Sequence, residues 1–157
     1  MRNFAVMRGE IMKNGTQSQA LRSIGAVIAG ILVGVIITIA TDVVLHVTGV
    51  FPPMGQPISS PPLLLATAYR TVYSIFGSYV IARLAPSRPM KHALAGGVVG
   101  VIVSTLGAVL TWNKGPAFGP HWYPVALIVL ALPTAWAGAK IRETQTTKLQ
   151  QMSAKMS

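Results

Sequence analysis

The chain alternates between clusters of charge and long uncharged runs. Nineteen uncharged residues (23–41) separate Arg22 from Asp42, twenty-one (93–113) separate His92 from Lys114, and twenty-five (115–139) separate Lys114 from Lys140. A helix needs about 20 apolar residues to cross the hydrocarbon core of a bilayer. The pattern therefore predicts spans over residues 24–50, 93–112 and 123–139. A fourth, over 63–85, is apolar on both sides of Arg70, with LLLATAY before it and TVYSIFGSYVIA after it. Lipid offers no partner for a free N–H or C=O, so each span is expected to be helical. The fold class read from the pattern is all-α integral membrane, a four-transmembrane-helix bundle over residues 21–142. Residues 1–20 read as a polar, basic tail, and 143–157 as a second polar tail or helix extension. The first apolar run exceeds the roughly 7–15 residues of a secretory signal core, so it reads as an uncleaved anchor.

Composition narrows the picture. Only 10% of the 157 residues are charged and 52% are hydrophobic, against about 25% charged in a typical soluble domain. Too little polar surface is available to coat a water-soluble globule, and too little polarity to keep the bulk of the chain disordered. With no cysteine, disulfides, thiolate metal sites and thiol nucleophiles are excluded.

The net charge of +10 in a soluble protein would point to nucleic acid. Here position decides. Arg2, Arg8, Lys13 and Arg22 precede the first span; Arg83, Arg88 and Lys91 surround the second loop; Lys140, Arg142, Lys148 and Lys155 follow the fourth span. The first loop carries no Lys or Arg, the third carries only Lys114, and Arg70 lies inside a span. By the positive-inside rule both termini are expected in the cytoplasm, an N-in/C-in arrangement in a bacterial cytoplasmic (inner) membrane. Anionic headgroups on that side would add attraction. No nucleic-acid partner is expected, because no recognition motif or aromatic platform accompanies the charge.

Eight of the eleven prolines sit in the two outer loops, FPPMGQPISSPP and WNKGPAFGPHWYP. Proline fixes φ, so these loops are expected to be stiff. Trp112, Trp122 and Tyr123 bracket the third loop at headgroup level. Two readings of this aromatic/His group stand: interfacial anchoring, or a lid over a polar site with His121 as its titratable member.

Residues four apart share a helix face. Gly30 and Gly34, with Ala26 and Thr38, form a stripe of small residues in the first span; Gly96, Gly100 and Ser104 form another in the third. Such stripes allow close backbone approach and mark packing faces. The first stripe continues into Asp42 and His46, and Arg70 lies on a comparable stripe of the second span. Counted from the outer ends at Val50 and Leu63, Asp42 and Arg70 lie at matching depths of about 10–12 Å. A charge at that depth is costly, so an Asp42–Arg70 ion pair is expected. His46 stands one turn above Asp42, and Tyr73 shares the face of Arg70. This intramembrane cluster of Asp42, His46, Arg70 and Tyr73 reads either as a clasp fixing helix register or as a substrate, ion or proton site.

Other chemistry is scarce. Asp42 has no second carboxylate nearby; His46, His92 and His121 lack metal-ligand spacing; no GxSxG, phosphate-binding or dinucleotide motif is present. No catalytic residue, metal or cofactor is expected, and an enzyme is not the reading.

The strings TDVVLHVTGVFPP, ATAYRTVYSIFGSYVIARLAPSRPMKHAL and WNKGPAFGPHWYP resemble segments of small uncharacterised bacterial inner-membrane proteins with four helices, over roughly residues 20–142. That resemblance implies the fold and localisation but carries over no functional residue. Four spans with an acid in the first are also similar to small multidrug-resistance transporters, but those have shorter chains and use a glutamate, and their dual-topology types lack strong charge bias. The sequence thus leaves a structural or accessory membrane subunit, with a membrane-complex partner, beside a small proton- or ion-coupled homo-oligomeric transporter working through Asp42, Arg70 and His46.

Overall fold

In the computed structural model, the backbone is described for residues 2–156 and the side chains for residues 17–156. Four α-helices follow one another: α1, Arg2–Val47; α2, Ser60–Leu84; α3, Pro89–Thr111; and α4, Trp122–Met156, with a 3₁₀ turn at Pro116–Phe118 before α4. The prolines act as punctuation. They occupy the first turns of α2, α3 and the 3₁₀ segment, where a missing N–H costs nothing. Gly49 ends α1 in a left-handed conformation at φ 76°.

The boundaries differ from those the hydropathy pattern suggests. α1 stops at Val47 rather than Val50, and α2 begins at Ser60, three residues before Leu63. α1 and α4 also continue through segments read as polar tails, because nothing there breaks a helix. Pro133 lies inside α4.

Three helices are long and apolar enough to cross a membrane: α1 over Gln17–Val47, α3 and α4. α2 carries Arg70 in its middle and packs on all three other helices. α4 packs on α2 and α3, whereas α1 rests chiefly on α2 and meets α3 only slightly. The bundle is therefore closed on three sides and loose between α1 and α3. Alternating helix direction brings Arg22, Arg83, Arg88, Lys91 and Lys140 to one end and Lys114 to the other.

Packing runs opposite to that of a soluble core. The buried apolar positions are mostly alanines, including Ala93 and Ala139 at 0% exposure. Large aliphatic side chains point outward instead, as with Ile36 at 63% and Val109 at 70%. Small faces let backbones meet, and dispersion over that contact holds the helices together. A Cβ added at Gly77 of α2 would lie 2.8 Å from the Gly30 carbonyl oxygen of α1. One at Gly138 of α4 would lie 2.7 Å from the Tyr79 backbone nitrogen, and one at Gly97 of α3 would lie 2.7 Å from the Ala135 Cβ. Glycine thus sets the closest approach at each of these three helix pairs, with Gly30 and Gly77 facing each other at the first.

Of the predicted packing residues, Gly30 is buried against α2, and Gly96 is buried against Ile81. Gly34 and Gly100 have looser neighbours, the Tyr73 carbonyl and the Ala131 methyl at 3.7 and 3.6 Å from an added Cβ. Gly77→Ala should cost about 1–3 kcal/mol, as overpacking does. Gly107→Ala, in open space, should be neutral or stabilising by up to about 1 kcal/mol, because alanine is the better helix former. Reversible unfolding in mixed micelles of rising SDS fraction measures both, and equal effects would contradict the packing described.

Candidate functional site

Asp42 projects from α1 and Arg70 from α2, five residues before the end of the first helix and ten after the start of the second. The redrawn boundaries put Asp42 about 8 Å below the end of α1. The Arg70 Nη2 donates to Asp42 Oδ2 at 2.6 Å. The Tyr69 hydroxyl donates to the other carboxylate oxygen, Oδ1, in a short contact. Both oxygens of the acid are thus committed to α2. One turn further along α2, the Tyr73 hydroxyl meets the Thr41 hydroxyl at 3.0 Å, and the rings of Tyr69 and Tyr73 lie 5.6 Å apart. From α4, the Tyr123 ring lies under the Arg70 guanidinium, 5.9 Å from its carbon to the ring centroid, within cation–π range. Three helices therefore converge on one ion pair.

The predicted cluster is rearranged in detail. Tyr69 holds the carboxylate, whereas Tyr73 bonds to Thr41. A carboxylate has two oxygens to satisfy; Arg70 reaches one, and its sequence neighbour reaches the other. His46 does not touch the acid's side chain. Its Nδ1 bonds to the Asp42 backbone carbonyl at 2.8 Å, and its ring meets Phe51 edge-on at 5.3 Å. A carbonyl can only accept, so this nitrogen carries the proton. Phe51 is itself buried and folds back, with its N–H on the Leu45 carbonyl at 2.9 Å.

The outer loops form a cap tied by hydrogen bonds. The Ile58 N–H donates to the Pro116 carbonyl at 3.3 Å, and the Trp122 indole N–H donates to Ser60 Oγ at 3.3 Å. His121 stacks on Trp112 at 4.2 Å and donates through Nε2 to the Trp112 carbonyl at 2.9 Å. It braces its own loop and does not join Asp42. Among the described residues, no three His, Asp or Glu lie together as a metal site would require.

Beneath the ion pair lies a cavity of about 460 Å³. Its lining draws on all four helices, from Thr38 and Asp42 through Arg70 and Ser74 to Ser104 and Leu130. Gly34, Gly100 and Ser104, expected at helix contacts, line this space. Its rim includes Val35 and Ile39 of α1 and Val99 and Val103 of α3, all exposed, so the cavity opens sideways between those helices.

Removing one partner of a desolvated ion pair strands the other charge. Arg70→Gln should destabilise by roughly 3 kcal/mol, and Tyr69→Phe by about 1 kcal/mol through loss of one hydrogen bond. Tyr73→Phe should leave the acid's contacts intact. The same micelle unfolding ranks these, and a Tyr73 effect above that of Arg70 would refute the assignment. No family model, curated protein or solved structure matches this chain.

Proposed function

We propose that the chain is a four-span protein of the bacterial cytoplasmic membrane, with both termini inside, acting as a structural or accessory subunit. Outward-facing aliphatic side chains and a small-residue interior support residence in lipid. The gathering of basic residues at one end of the bundle supports the orientation. One observation carries the role: the acid inside the apolar segment has both oxygens bonded to the neighbouring helix. That geometry suits a clasp that sets the register of α1 on α2. Loading a proton there would cancel the charge that Arg70 pairs with and loosen α1 from α2 at every cycle.

The transporter reading retains one observation in its favour, the cavity that reaches Asp42 and Arg70. The two readings separate by experiment. Alkaline phosphatase fusions should be active after Gln56 and Lys114 and inactive after Ser87 and at the C-terminus; the reverse pattern would defeat the orientation. Asp42→Arg combined with Arg70→Asp should recover most of the folded yield lost in either single variant. Reconstituted vesicles should show no Asp42-dependent proton flux. A flux that Asp42→Asn abolishes and the exchange fails to restore would establish the transporter instead.

A further inference from the structure

The cavity has the size, length and polarity of a site for one aliphatic chain. Its volume of about 460 Å³ falls in the range of small-ligand sites, roughly 300–1,000 Å³. A spanning helix 30 Å long and 10 Å across occupies roughly 2,000 Å³, so a partner helix cannot enter. From Gly30 at one end to Asp42 at the other is twelve residues of α1, or about 18 Å. Lying from about 8 to about 26 Å below the end of α1, the cavity runs along most of a hydrocarbon core of about 30 Å, as one extended chain would.

The polar end selects the chemistry of the head. Each Asp42 oxygen already accepts a bond from α2, whereas Arg70 keeps N–H donors beyond the one on Asp42. Its Nε is buried with no hydrogen-bond partner among the described residues. Spare capacity at this end is donor capacity, reinforced by the hydroxyls of Thr38 and Ser74 one turn away on α1 and α2. The opening between α1 and α3 faces the surroundings through valine and isoleucine, so entry is sideways and not through the capped outer loops.

We propose that this cavity binds one long acyl chain, entering between α1 and α3, with its ester or carboxylate oxygens at Arg70. The proposal rests on the membrane reading above. It identifies what an accessory subunit of this shape would hold: a lipid, or a fatty acid released from one.

The test uses the full chain reconstituted in dioleoylphosphatidylcholine vesicles. Two probes carry the same diazirine-bearing palmitoyl chain, one as free palmitate and one esterified in phosphatidylglycerol. After photolysis, adducts are mapped by mass spectrometry. Adducts on the cavity residues Leu127, Leu130 and Ala131, besides those on outward Leu106 and Val109, are expected. Labelling by palmitate alone assigns a free fatty acid, and labelling by the phospholipid assigns an intact lipid; both support the site. Gly100→Leu and Gly34→Leu, whose backbones have room for a Cβ, should each cut cavity adducts about tenfold or more, the discrimination an added methylene group carries in an apolar pocket. Outward adducts and the Gly107→Leu control should be unchanged. Outward adducts without cavity adducts would overturn the proposal while leaving the membrane reading intact, as would disulfide dimers of Val103→Cys formed in their place. Absence of adducts at every position would overturn the membrane reading as well.

Discussion

The backbone contact between α1 and α2 at Gly30 and Gly77 governs much of what surrounds it. With no side chain on either residue, the two helices approach closely enough for groups further along the same faces to meet. Twelve residues on, the geometry brings the Asp42 carboxylate within reach of Tyr69 and Arg70, and Thr41 within reach of Tyr73. A bulkier residue at either glycine would push the helices apart along their length, and short polar contacts cannot follow such a shift. Dispersion at the glycines and electrostatics at the ion pair are therefore coupled parts of one interface.

That interface also explains the cavity. α1 is held on one side, by α2, and has little hold on α3. The facing positions of α1 and α3 are small, Gly34 and Thr38 opposite Gly100 and Ser104, yet the helices do not close on each other. The vacant width remains as a slot ending at Arg70. Leu at Gly34 or Gly100, where a Cβ has room, would fill it away from the clasp, so the two features separate chemically although they arise from one packing arrangement.

Much of the architecture was legible in the order of residues. Long uncharged runs announced three of the helices and an apolar run broken only by Arg70 announced the fourth, because an apolar segment satisfies its backbone most simply as a helix. The pairing of Asp42 with Arg70 was also legible, since two opposite charges in apolar segments joined by a short loop lower each other's cost. Helix ends were less so. The apolar pattern continues past Val47, but Gly49 and the prolines after it end the helix earlier, and the polar segments beyond the spans continue as helix because no residue there forbids it. Stripes of small residues are legible on α1, α2 and α3, while Gly77 and Gly97, equally decisive, lie beside those stripes, on faces that periodicity alone does not single out.

The sequence by itself determined the number of helices, the end at which basic residues gather and the presence of an ion pair, because each follows from the cost of placing charge or bare backbone among apolar groups. Only the tertiary structure decided which tyrosine completes the carboxylate, that His46 and His121 serve their own segments, and that a slot remains between α1 and α3. Those outcomes depend on helix rotation and spacing to within an ångström or two, and a linear pattern of residue types carries no such information until the helices are packed.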